Sequence, residues 1–184
     1  MIEKLIKKTA RLLDRQKIPY MIIGGQAVLL YGRPRLTRDI DITLGIDTDK
    51  FESIEAVCKK LKLKILVENP KDFAQETKVL PAEEPDSKVR IDFIFSFTPY
   101  EEQAIKNAKK ILIDDCPVKF ASCEDIIIHK MVAGRAIDEE DVKSILLKNE
   151  NVIDFKYINK WLSEFGKIKE HKDILARFNK LLNK

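Results

Sequence analysis

Residues 39–44 read Asp-Ile-Asp-Ile-Thr-Leu, a strict alternation of polar and apolar side chains. A period of two is the mark of a strand with two unlike faces, because residues i and i+2 project to the same side. Asp39 and Asp41 therefore point together, while Ile40 and Ile42 enter the opposite face. Two carboxylates within roughly 7 Å on one strand face repel each other unless something neutralises them. Aspartate is also depleted in strands, so the pairing is unexpected on a merely structural strand. A hard divalent cation with oxygen ligands relieves the repulsion, and Mg²⁺ is usually held by one or two carboxylates plus substrate phosphates. Taken alone, the pair reads equally well as two exposed aspartates on a solvent-facing strand.

Two further elements weigh on that choice. Upstream, the apolar run 19–23 is broken by Gly24–Gly25, after which QAVLLYG reads as a short helix closed by Gly32. Glycines between a strand and a helix let backbone N–H groups approach a phosphate, and the helix N-terminus adds its positive end. The segment from Gly25 to Asp39 is long enough for a short helix and a loop to return the next strand beside the glycines. Downstream, Lys-Val-Arg-Ile-Asp-Phe-Ile-Phe over 88–95 alternates again and sets Asp92 on the face opposite Val89, Ile91, Phe93 and Phe95. A third carboxylate on a neighbouring strand allows two metals, one on the triphosphate and one activating the attacking hydroxyl. The structural alternative for Asp92 is a pair with Arg90 or Lys88.

The rest of the chain supplies a scaffold. Apolar residues make up 45% of the 184 residues, enough to bury a core, and the charged 35% exceeds the average of about 25%. The net charge of +4 tolerates a polyanionic partner without requiring one. Cys58, Cys116 and Cys123 have no CxxC spacing and are joined by only two histidines, His129 and His171, which argues against structural zinc and for reduced thiols. No apolar run approaches the ~20 residues of a membrane span, and the N-terminal segment is amphipathic rather than a signal peptide, so a cytoplasmic protein without membrane attachment is expected. Helices are expected over 2–16, from 47 or 48 to 61, from Pro99 to about Lys109, and near 123–134, 138–148, 154–165 and 171–182. Further strands are expected over 61–67 and as a hairpin of KKILIDD with CPVKFAS. Residues 68–87, with Pro70, Pro81 and Pro85, show no readable element, and their acidic run, Glu83 and Glu84 with Asp86, reads as a solvated loop. The fold class is α+β: a small mixed sheet with flanking helices over 1–121, then a helical C-terminal portion over 122–184.

The order strand, Gly-Gly, helix, Asp-x-Asp strand and later lone Asp resembles the DNA polymerase β-type nucleotidyltransferase superfamily. The stretch GGQAVLLYGRPRLTRDIDI is more specific and is similar to the AbiEii-like group, through Gly24, Gly25, Ala27, Gly32, Arg35, Thr37, Asp39 and Asp41. That group carries a later helical motif, met here as Lys130, Ala133, Arg135, Asp138 and Asp141, with Ile137 where a basic residue is usual. The resemblance spans roughly residues 20–145. It implies transfer of a nucleoside monophosphate from an NTP (ATP or GTP) to a hydroxyl, with release of pyrophosphate. Such chemistry needs in-line positioning and charge neutralisation more than a covalent nucleophile.

On this reading Asp39, Asp41 and Asp92 hold Mg²⁺, with Mn²⁺ as the alternative, and Asp92 orients the acceptor. Gly24 and Gly25 cradle the β- and γ-phosphates, Thr37 and Arg38 meet phosphate oxygens, and Arg35 neutralises charge at the nucleotide, the alternative being a basic loop that balances Asp39 and Asp41. Lys130, in an otherwise apolar helix, needs a partner, for which the triphosphate or Asp92 would serve. Arg135 with Asp138 or Asp141 reads as a structural ion pair, and His129, Tyr31 and Trp161 as structural residues. The lysine-rich C-terminus reads as a solvated face that an RNA acceptor could use. Three functions stay open: an enzyme acting on RNA such as tRNA, as the toxin of a pair with an antitoxin protein; an enzyme acting on a small hydroxylated molecule, as aminoglycoside-modifying relatives do; and a non-catalytic nucleotide-binding module.

Overall fold

The alternating segments meet in one mixed sheet. In the computed structural model, which describes residues 1–96 and 98–182, its strands are β1 (Tyr20–Ile23), β2 (Ile40–Leu44), β3 (Lys64–Ile65), β4 (Val79–Glu84), β5 (Val89–Phe95), β6 (Lys109–Ile113) and β7 (Cys116–Phe120). They lie in the order β3-β4-β5-β2-β1-β7-β6. β2 runs antiparallel to β1 and parallel to β5, so the two Asp-bearing strands are neighbours in the middle of the sheet. β1 and β7 are parallel, and β6–β7 is the expected hairpin. The fold class is the one expected: α+β, with a mixed sheet, flanking helices and a helical C-terminal region.

The chain divides into two compact units, Met1–Gln26 with Leu36–Ala121, and Ala27–Arg35 with Ser122–Lys184. The first unit holds the sheet, α1 (Ile2–Arg15), the start of α2 (Gly24–Tyr31), α3 (Phe51–Leu61), α4 (Pro70–Thr77) and α5 (Pro99–Asn107). Ile40, Ile42, Leu44, Ile91 and Phe93 are buried on the sheet face opposite the aspartates. α3 is fixed to that apolar face by Phe51, whose ring stacks on Phe95 with centroids 6.3 Å apart. The Asp47 side chain, accepting from Thr48 N at 2.6 Å, caps the entry to this helix. α1 buries Leu5, Ile6, Ala10 and Leu13 and packs beside α3 and β7.

The second unit holds the end of α2 and helices α6 (Cys123–Ala133), α7 (Ala136–Asn149), α8 (Phe155–Phe165) and α9 (Ile174–Leu182). Ser122 caps α6 by accepting from Asp125 N at 3.1 Å, and Gly134, at φ +64°, ends it in the left-handed conformation that glycine adopts without strain. Segment 27–35 belongs here because its backbone is tied to α7: Lys148 Nζ donates to the Gly32 carbonyl at 2.6 Å, and Asn149 Nδ2 to the Tyr31 carbonyl at 2.8 Å.

The structure corrects two local expectations. The acidic run expected as a solvated loop is one only at Asp86, which stands in a turn; upstream Pro70 opens α4, and Glu83 and Glu84 lie on β4 opposite Arg90 and Val89. Pro81 gives up one donor there, yet its carbonyl still accepts from Leu66 N at 3.0 Å. The expected strand over 61–67 shrinks to Lys64–Ile65, because α3 runs on to Leu61 and closes with Lys62 in the left-handed conformation. Among the described residues, no helix is long and apolar enough to cross a membrane.

Phe93 sits fully buried at the sheet's centre. Replacing it with alanine should cost about 3–5 kcal/mol of stability in urea unfolding, and a loss under about 1 kcal/mol would contradict this packing.

Candidate active site

β1 passes into α2 without an intervening loop, so the two glycines form the first turn of the helix rather than a separate turn. Gly24 has φ +61°, and a Cβ built on it would lie 2.8 Å from Asp41 Cγ. A Cβ on Gly25 would lie 2.9 Å from Thr37 Cβ. Both glycines are thus required by close approach: one seats the Asp41 carboxylate on the helix start, the other seats Thr37. Gln26 Nε2 donates to the Asp39 carbonyl at 3.2 Å and fixes the entry to β2.

Asp41 stands opposite Ile23 on one side and Asp92 on the other in the strand register, so both carboxylates share a sheet face. Asp39 is exposed, and Asp41 and Asp92 are half-buried. Arg90 Nε donates to Asp92 Oδ1 at 2.9 Å. This bond and the charge of Asp92 push the Arg90 guanidinium above its already high range, with Asp39 and Asp41 adding to the effect. The pair weighed as the structural alternative for Asp92 therefore forms. Thr43, two positions beyond Asp41 on the same face, is buried at 1% exposure, and its hydroxyl has no hydrogen-bond partner among the described residues. Arg38 is exposed on the loop leading into β2. Among the described residues, no three or more His, Cys, Asp or Glu side chains close around a point as a metal cage would.

The remaining candidates, Arg35 and Lys130, belong to the second unit. Lys130 is buried, and its Nζ lies 2.7 Å from Asp138 Oδ1 and 2.9 Å from Asp141 Oδ2. The partner that a lysine on an apolar helix requires is supplied by α7. Arg35 grips Asp141 with two bonds, Nε to Oδ1 at 3.0 Å and Nη2 to Oδ2 at 3.1 Å. Arg135 grips Asp138 likewise, Nε to Oδ2 at 2.6 Å and Nη2 to Oδ1 at 3.1 Å. Burial pushes the Asp138 carboxyl up, but the bonds from Arg135 and Lys130 outweigh it and hold the group below the usual range. Three cations and two carboxylates thus form one network joining α6, α7 and the Arg35 segment. Burial, aided by Lys130, lowers the neighbouring His129 to about 4, which keeps it uncharged near neutral pH. Tyr31 is pushed up to about 12 by burial.

Sequence reasoning missed Gln26, Thr43 and the double clasp on Asp141. Thr43 was legible, since it continues the alternation of Asp39 and Asp41.

The residues so placed fall within one family model, that of the nucleotidyl transferase AbiEii toxin of type IV TA systems, which matches residues 11–141. The chain belongs to the AbiEii nucleotidyl transferase family. It is accordingly an enzyme of the nucleotidyltransferase type, which moves a nucleotidyl group from an NTP to an acceptor. In sequence, no curated protein matches the chain. Solved structures share its fold. The antibiotic-resistance factor ANT(2'')-Ia superposes with a TM-score of 0.61 at 19% identity, covering 92% of this chain and 96% of that one. A nucleotidyltransferase-like antigenic protein from Paracoccidioides brasiliensis gives 0.57 at 16% identity, over 96% and 91%. The lincomycin-bound lincosamide adenylyltransferase LnuA gives 0.52 at 18% identity, over 73% and 90%.

Lys130 is 6% exposed and serves two buried carboxylates, whereas Arg135 is 70% exposed. Lys130→Met should therefore cost about 3 kcal/mol of thermal stability, and Arg135→Ala no more than about 1 kcal/mol. Equal losses in calorimetry would contradict the network.

Proposed function

We propose that this AbiEii-family enzyme transfers a nucleoside monophosphate from an NTP to a hydroxyl on RNA, with a divalent cation held by Asp39 and Asp41. The observation that carries this reading is the seating of the Asp41 carboxylate directly against Gly24 at the start of α2. Triphosphate oxygens drawn to that helix start by its N–H groups lie within reach of the same carboxylate. The donors are hard oxygens, which suit Mg²⁺ or Mn²⁺. A cage of protein ligands is not needed, because Mg²⁺ characteristically completes its shell with substrate phosphates and water. When bound, such a cation supplies neutralisation of the triphosphate and acidifies a coordinated hydroxyl.

The chain's own residues then divide the work. Gly24 and Gly25 present backbone N–H groups to the β- and γ-phosphates. Thr37, beside Gly25, and Arg38 donate to their oxygens. Arg90 orients Asp92 through Oδ1, and the other carboxylate oxygen orients the acceptor hydroxyl and takes its proton. The acceptor oxygen forms the new bond to the α-phosphorus, the α–β bridging P–O bond breaks, and pyrophosphate leaves with the electron pair. Lys130 holds Asp138 and Asp141, and Asp141 in turn holds Arg35.

A second reading, with a small hydroxylated acceptor, draws on the fold shared with proteins described as acting on antibiotics, among them ANT(2'')-Ia in complex with adenylyl-2''-tobramycin at a TM-score of 0.60. The family description as a toxin favours a macromolecular acceptor, with an antitoxin protein as regulator.

Incubation with Mg²⁺, each labelled NTP and either total RNA or a metabolite pool tests the reading. Label should pass to RNA with stoichiometric pyrophosphate, and Asp41→Asn should reduce it by about 10²-fold or more. Transfer that survives this substitution would overturn the assignment of Asp41, and label appearing only in the metabolite pool would select the small-molecule reading.

A further inference from the structure

The first unit carries a second cationic feature on the helical side of the sheet. A concavity of about 470 Å³ between α1 and the end of α3 is lined by Lys8, Arg11 and Arg15 from one helix and by Lys60 and Lys62 from the other side. Leu12 and Leu61 complete its lining, and no acidic residue contributes. In a chain with 30 acidic residues this is a segregation of charge rather than a sample of the surface.

The arrangement is costly to the helix that bears it. Lys8, Arg11 and Arg15 follow i, i+3, i+7 spacing and form a stripe of like charge on one face of α1, a pattern that destabilises a helix unless the charges are met. Arg11 is met by Asp115 at 3.1 Å. Lys8, Arg15, Lys60 and Lys62 are exposed and form no ion pair among the described residues. Asp14, next to Arg15 in the chain, is engaged by Lys119. Complementing a helix dipole accounts for Arg15 and Lys60 in last turns, but not for Lys8 and Arg11 in mid-helix.

We infer that this concavity binds the sugar–phosphate backbone of an RNA at a point remote from the reacting hydroxyl. The inference rests on the proposed RNA acceptor and names the surface that holds it. The lining fits phosphates rather than bases: it offers five cations and two leucines, and no aromatic ring on which a base could stack. Binding there is therefore insensitive to sequence and strongly dependent on salt. α3 packs on the sheet face opposite the aspartates, so a small acceptor cannot occupy both places, whereas a polynucleotide can run from one to the other. The surface acts on acceptor affinity, not on the chemical step.

The test measures binding of a labelled single-stranded RNA of random sequence over a salt series. The quadruple variant Lys8→Ala, Arg15→Ala, Lys60→Ala, Lys62→Asn is compared with a control that removes equal charge at exposed lysines elsewhere, Lys106→Ala, Lys109→Ala, Lys110→Ala, Lys156→Ala. Asparagine is chosen at 62 because that residue has φ +57°. The first variant should bind at least tenfold more weakly in moderate salt, and its slope of log K against log salt should flatten by about 0.7 for each phosphate no longer neutralised. Its thermal midpoint should equal or exceed the parent's, since the repulsion along α1 is relieved. Transfer to RNA should show a raised KM with kcat retained, and binding by the control should stay within about twofold of the parent. RNA affinity unchanged in the first variant, or reduced equally in the control, would overturn the inference, as would capture of anionic phosphatidylserine vesicles without RNA binding. Because binding is read without NTP, RNA held by this surface in a protein that transfers no nucleotide would sink the proposed reaction and leave the surface standing.

Discussion

The geometry of the candidate centre depends on a missing atom. Gly24 has no Cβ, and the space that one would take is filled by the Asp41 side chain. The positive φ of Gly24 turns the end of β1 directly into α2, so a helix N-terminus and a carboxylate are brought together without a loop between them. Any other residue at 24 is penalised twice, by a left-handed backbone and by a collision with Asp41. Gly25 repeats the arrangement with Thr37. The alternation of β2 and its parallel pairing with β5 then bring Asp92 level with Asp41.

A different logic holds the second unit. Its central feature is ionic: Lys130 shared by Asp138 and Asp141, each clasped again by an arginine. Buried charges are tolerated only when paired and hydrogen-bonded, and here the cations outnumber the carboxylates. The arrangement fixes Arg35, the first residue of the Arg-x-Thr-x-Asp-x-Asp run, through its two bonds to Asp141. Where the sequence alone offered Lys130 the triphosphate or Asp92 as partner, the structure gives it the two carboxylates of α7.

The strands and most helices were legible in the sequence because burial imposes a strict period. Ile40, Ile42 and Ile91 alternate with polar neighbours and, like Phe93 and Phe95, lie on the buried face. Where the period failed, so did the reading. The prolines of 68–87 left that stretch without a readable element, yet Pro70 sits in a first helical turn and Pro81 on a strand beside the two-residue β3, places where a missing N–H is tolerated. At the site, Asp41 and Asp92 were visible as polar residues out of place in strands, and Asp39 through the same alternation, although β2 begins one residue after it. The partners of Lys130 were harder to see, since Asp138 and Asp141 are separated from it by the end of one helix, a turn and the start of a second. The basic concavity was invisible in the net charge of +4, because it arises only when α1 and the end of α3 are folded side by side.

If the Gly24 start of α2 and the Asp39–Asp41 face together bind a metal-bound triphosphate, equilibrium binding of a non-transferable NTP analogue, titrated with and without Mg²⁺, will show it. Binding should require the metal and fall at least tenfold in both Gly24→Ala and Asp39→Asn, in protein whose circular dichroism is unchanged. Binding that is as tight without the metal, and unaltered in both variants, would contradict this arrangement of the site.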